Sequence, residues 1–116
     1  MSLLTKEQIL NAEDSETKIV EVPEWGGEVQ VTNISAKERD AWEVGIAEAK
    51  DKGKPVDVRA SLCAKSIVNE TGNRIFTDAD IKKLGNKSAA ALERVFTVAA
   101  DLSKLNPADI EELEGN

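Results

Sequence analysis

Residues 21–34 read E-V-P-E-W-G-G-E-V-Q-V-T-N-I, and this stretch limits the fold more than any other. Val20 and Val22 alternate with polar neighbours before the break, and Val29 and Val31 do the same after it. A period of two marks strands with one buried face. Between them, Pro23 fixes its own φ and lacks an N–H, which suits a strand end. Gly26 and Gly27 offer the positive φ that a tight reversal requires. The segment 16–34 is therefore expected to be a β-hairpin. Two strands are not stable alone in water, so the rest of the chain, or another subunit, must cover the apolar face. Trp25, beside the two glycines, must either fold back onto the core or stand out as a contact.

The remaining segments carry helix signals. Thr5-Lys6-Glu7-Gln8 before Ile9 and Leu10 has the form of a capping box and predicts one or two turns, with a polar loop to residue 15. Ser35 and Glu38 repeat that form directly after the second strand, and the helix they open should run to about Lys50. Its apolar stripe is thin: Trp42, Ile46 and Ala49. Gly53 and Pro55 end it. A third helix is predicted from about Asp57 to Val68 or Asn69, carrying Val58, Leu62, Ala64, Ile67 and Val68 with Cys63 alongside. Asn69–Asn73 reads as a turn. Arg74-Ile75-Phe76 is short for a strand, but suited to pairing with a hairpin edge or pinning the loop to the core. Thr77 should cap a short helix over 78–84, stopped by Gly85-Asn86. Ser88 to about Leu105 is the clearest helix, with Leu92, Val95, Phe96, Ala99, Leu102 and Leu105 on one stripe. Asn106-Pro107 ends it. Residues 107–116 form an acidic tail, in which 108–113 can add one more turn and Gly115-Asn116 should fray.

The order of these pieces carries a resemblance. V-P-E-W-G-G-E-V-Q-V is followed by I-S-A-K-E-R-D-A-W-E, then A-K-S-I-V-N-E-T-G-N-R-I-F-T-D-A-D, then L-S-K-L-N. Over roughly residues 4–106 this series resembles the small tail assembly chaperones of long-tailed bacteriophages. The resemblance implies a protein without enzymatic activity that coats the hydrophobic, largely helical tape measure protein. It also implies recruitment of tail tube subunits while the tail polymerises, in the host cell cytoplasm. Proteins of this kind are commonly made also as a longer form by translational frameshift.

Composition excludes several other functions. With 22 acidic and 15 basic side chains the net charge is −7, and the basic stripe that nucleic-acid binding needs is missing. No apolar run approaches the ~18 residues of a membrane span, and the start lacks the apolar stretch of a secretion signal. Cys63 is the only cysteine, so no intrachain disulfide can form, which fits a reducing cytosol. Histidine is absent, and with it the commonest general base and the commonest zinc ligand. Cys63 falls on an apolar stripe, as a buried small hydrophobe does. Asp78-Ala79-Asp80 opens like a calcium loop. The pattern fails where Lys82 and Lys83 replace the next oxygen ligand and the glycine, and where Ala89 replaces the closing glutamate. The two aspartates are better explained as complements to a helix N-terminus.

The expectation is thus a single α+β domain over 1–116, mostly helical: a short helix and loop (1–15), the hairpin (16–34), about four helices (35–106) and the acidic tail. No catalytic, cofactor or metal site is expected. Candidate partner-binding residues are Trp25, Gly26 and Gly27 at the hairpin tip and Trp42 and Ile46 on the thin-striped helix, because aromatic anchors dominate interface energies. Self-association is a further expectation. The alternative function is an acidic adaptor or inhibitor that occupies a basic surface of another protein, whose grip would weaken steeply with salt.

Overall fold

In the computed structural model, residues 2–114 are described. The hairpin is present: β1 (Thr17–Val22) pairs antiparallel with β2 (Gly27–Thr32), with Val20 opposite Val29 and Val22 opposite Gly27. One face carries Val20, Val22, Val29 and Val31. Val22 and Val31 are fully buried, while Val20 and Val29 pack at the margin. The reversal is a single 3-10 turn over Pro23–Trp25, closed by the Gly26 N–H donating to the Pro23 carbonyl at 3.0 Å. Of the two tip glycines only Gly26 uses positive φ, at 73°. Gly27 is already the first residue of β2, so it is not required for the backbone turn.

The hairpin gains a third strand. The helix predicted to run through Val68 is α3 (Val58–Ser66), and it stops short. Ile67–Val68 become β3, pairing with Val31 and Gln30. Both residues are β-branched, which weakens the helix and favours the sheet, and extending here buries both side chains. Arg74 then forms a bridge to Val68 and the Ile75 N–H donates to the Ile67 carbonyl. The R-I-F stretch therefore pins the loop onto β3 rather than onto the hairpin edge.

The hairpin's apolar face is covered by a helix. The segment α5 (Ala89–Leu102) packs on β1, β2 and α3, burying Leu92, Val95, Phe96 and Ala99. Each large side chain so buried contributes about 1.5–3 kcal/mol before entropy is subtracted. It starts at Ser88, whose Oγ accepts from the Ala91 N–H. It ends three residues sooner than the stripe suggested, because Lys104 adopts a left-handed conformation (φ 55°). The Leu105 N–H then reaches the Ala100 carbonyl and the Lys104 N–H reaches the Asp101 carbonyl, a Schellman ending with lysine where glycine is usual. Leu105 remains buried beyond the helix end.

The thin-striped helix is α2 (Ala36–Asp51). The surface completing its stripe is α3 of the same chain, and Trp42 and Ile46 are buried there. Ser35 Oγ accepts from the Glu38 N–H as expected, but the Glu38 carboxylate is engaged elsewhere. It meets Lys65 at 3.4 Å and Arg74 at 3.9 Å, and these bases also reach Asp78 at 3.8 Å and 3.1 Å. The resulting cluster of two acids and two bases joins α2, α3 and the 74–78 loop. Thr77 and Asp80 bracket a 3-10 turn that leads into α4 (Ile81–Leu84).

Both chain ends form helices, with opposite outcomes. The segment α6 (Pro107–Glu114) docks back: Ile110 and Leu113 pack on the core, and Asp109 lies 3.6 Å from Arg39. The expected fraying of Gly115 and Asn116 lies outside the described residues. The segment α1 (Lys6–Asn11) has its full capping box but buries no residue. Its root is fixed by Asn33, which bonds Asp14 and Glu16. The radius of gyration of 15.3 Å exceeds the value of about 13 Å usual for this length, as a projecting segment requires.

Candidate functional site

Two apolar clefts contain the residues singled out from the sequence, and they lie on either side of the 78–84 segment. The first is at the hairpin tip. Trp25 is half-buried against the core margin and, with Phe76 and Leu84, lines a cleft of about 480 Å³. Lys83 and Lys87 stand on its rim, together with Glu24 and Asp80. The acids have partners: Glu24 accepts from Arg94 Nε at 3.1 Å, and Asp80 accepts from the Thr77 N–H at 2.8 Å. Its own backbone N–H and then Arg94 hold the Glu24 carboxyl below its usual range, and Thr77 does the same for Asp80. Both stay charged at neutral pH. Gly26 and Gly27 are exposed, with open space where a side chain would stand. Trp25 therefore combines the two alternatives left by the sequence: it packs against the core and also borders the cleft.

The second cleft, about 220 Å³, runs between α2 and the Pro55–Asp57 loop, and Trp42, Ile46 and Ala49 line it with Val56 and Ile81. Trp42 is only 2% exposed, and its Nε1–H donates to Ser61 Oγ at 2.8 Å. Ser61 in turn donates to the Val58 carbonyl at 3.1 Å, so the ring's partner is itself held in α3. Trp42 and Ile46 thus form the floor of a cleft and the joint between two helices at once. The structure brings them together, and it separates them from the hairpin-tip group.

Two exposed apolar features went unread in the sequence. Ile19 and Ile75 stand 55% and 53% exposed on the outer side of the sheet, beside Gln30 and Val68. Leu4, Ile9 and Leu10 are more exposed still on the arm around α1. The arm had a visible signal, since three large apolar residues on one capped turn need a covering surface and none follows nearby in the chain.

Cys63 is fully buried with its thiol directed at the Leu92 carbonyl, 3.7 Å away. Burial, and secondarily Glu93, push its pKa up to about 12. Such a thiol is neither nucleophile nor ligand at neutral pH. Among the described residues no group of three or more Cys, Asp or Glu is placed to hold a metal ion, and no helix is long and apolar enough to cross a membrane. What the surface offers is apolar clefts rimmed by charge.

No curated protein matches the chain. A solved structure described as the bacteriophage HK97 tail assembly chaperone shares the fold, with a TM-score of 0.61 and 18% identity, over 83% of this chain and 90% of that one. The family described as phage tail assembly chaperone matches residues 5–116, nearly the whole length and including hairpin, clefts and α6. The chain therefore belongs to the phage tail assembly chaperone family.

Proposed function

We propose that this protein is a non-enzymatic tail assembly chaperone that binds the tape measure protein and helps to recruit tail tube subunits in the host cytoplasm. The observation that carries the reading is the family match over residues 5–116. Physical chemistry supplies a reason for it to work. A long apolar, helical partner is prone to aggregate until it is enclosed, and an acidic coat of net charge −7 keeps the complex soluble. Trp25 with Gly26 and Gly27, and the cleft floored by Trp42 and Ile46, are the proposed contact residues. In each cleft an aromatic ring lies beside a dent that an inserted apolar side chain would fill. The binding mode is the helix-in-groove kind, read by apolar anchors one helical turn apart.

The test is co-purification of the full chain with a fragment of the tape measure protein, at low and high salt. Capture that persists at high salt and is lost in Trp25→Ala supports the reading. Capture that disappears steeply with salt favours the adaptor that occupies a basic surface.

A further inference from the structure

The last helix, α6, is self-contained and sits on a short tether. Asn106 Oδ1 accepts from the Ala108 N–H at 2.8 Å, and the Asn106 carbonyl accepts from the Ile110 N–H at 3.1 Å. Pro107, first in the helix, has no N–H to satisfy. These bonds lie within 106–110, so they survive if the helix leaves its place. Leu105, one residue earlier, is buried and stays behind as the anchor.

Little holds α6 down. Ile110 and Leu113 pack on the core margin, half-buried, and no described residue of the helix is buried fully. Two polar contacts add to them: Asp109 lies 3.6 Å from Arg39, and Lys50 Nζ donates to the Glu112 carbonyl at 3.3 Å. Arg39 is shared with Glu43, and ion pairs so exposed contribute little. Among the described residues no backbone hydrogen bond joins α6 to another element. An eight-residue helix is marginal without packing, so α6 can open alone while α5 stays closed.

The place it occupies is nevertheless built for a helix. Arg39 and Lys50 stand three turns apart on α2, hence on one face and about 16 Å apart along the axis. The whole of α6 spans about 12 Å. One cation meets an acid of its first turn and the other meets a carbonyl that a helix end leaves free, so the face also reads helix direction. Between them lies the margin that receives apolar side chains at i and i+3.

We propose that α6 is a detachable cover. In the free protein it occupies this face of α2, and it swings away about Asn106 when a partner's amphipathic helix takes its place. That helix carries apolar residues one turn apart and an acid in its first turn. The proposal rests on the reading that the chain binds a helical partner, and adds a second place and its control.

The experiment uses the full chain. Native-state hydrogen exchange should show α6 amides exchanging about a hundredfold faster than those of α5. A labelled peptide of residues 105–114, cross-linked between exposed positions 108 and 112 to hold it helical, is then titrated into the wild type and Ile110→Asp/Leu113→Asp. The released chain should keep its thermal midpoint and bind the peptide at least about tenfold more tightly, because the tethered competitor is gone. Adding Arg39→Glu/Lys50→Glu should abolish that gain. A tape measure fragment should displace the peptide; a fragment that fails to displace bound peptide removes the tape measure as occupant and leaves the cover standing. Three results would overturn the cover itself. One is protection of α6 equal to that of α5. Another is peptide binding that is equal in both chains or absent from both. The third is collapse of the thermal midpoint in the released chain, which would make α6 part of the core.

Discussion

Truncating the two tryptophans should give very different losses, because the structure uses them differently. Trp42 is 2% exposed and bonded to Ser61. Trp42→Ala removes a large ring between α2 and α3, worth about 3–5 kcal/mol for transfer and cavity together. Ser61 Oγ also loses its donor, adding about 1 kcal/mol. The total of roughly 4–6 kcal/mol approaches the whole stability of a domain this size, which is about 6–17 kcal/mol. Trp42→Phe keeps most of the ring and isolates the polar part, so it should cost only about 1–2 kcal/mol. Trp25 is half-buried on a turn and its removal leaves an open cleft rather than a void, so Trp25→Ala should cost about 1–2 kcal/mol. In urea unfolding followed by circular dichroism, with a slope near ~2 kcal/mol/M, the Trp42→Ala midpoint should fall by about 2–3 M and that of Trp25→Ala by less than about 1 M. Equal shifts, or a Trp42→Ala loss below about 1 kcal/mol, would refute the assignment of Trp42 as the joint between helices.

Other consequences are as direct. The Cys63 thiol should resist labelling in the native state and react in denaturant; because its pKa is raised to about 12, it favours folding below the unfolded-state value, and that contribution is lost as pH climbs from about 9 toward 12. A Cys63→Ala chain should show a shallower alkaline decline in unfolding midpoint. Lys104→Gly should stabilise by about 0.5–1 kcal/mol, because glycine has no steric penalty at φ 55°. Gly53→Ala, at φ 66° on the matching end of α2, should destabilise by about 1–2 kcal/mol. Asp78 is held below its usual pKa, first by its hydrogen bond from Arg74. Its support is therefore present above the ordinary aspartate range and lost as acid protonates it, and Arg74→Met should move the acid unfolding midpoint to higher pH.

Those elements whose signals are local were legible in the sequence. The period-two valines, the Thr5 and Ser35 caps and the α5 stripe all describe neighbours in the chain, and each produced the expected element. Fates decided by distant partners were not. Ile67 and Val68 fit a helical stripe and a strand equally well, and the free edge of β2 decided between them. Trp42, Ile46 and Ala49 looked like an incomplete face because the sequence does not display α3 opposite them. Lys104 carries no residue-level mark of a left-handed end, and it is the pull of Leu105 into the core that places it there. The candidate site divided along the same line. The exposed tip follows from Pro23, Trp25 and Gly26 alone, whereas both clefts need walls from elsewhere: 76–84 beside Trp25, and the Pro55–Asp57 loop with Ile81 beside Trp42.

The Glu38, Lys65, Arg74 and Asp78 cluster has a bearing on the speed of unfolding. Its members come from a helix, the next helix and a loop, up to 40 positions apart; Arg74 and Asp78 are neighbours in the loop, but Glu38 and Lys65 cannot join them before those segments have docked. Contacts that assemble last are absent from the barrier crossing, so weakening them accelerates the exit from the native state and leaves refolding rates nearly untouched. In a chevron measurement, Arg74→Met should steepen nothing and shift only the unfolding arm upward. Because the cluster is ionic, salt that screens it should likewise raise the unfolding rate and leave refolding nearly unchanged.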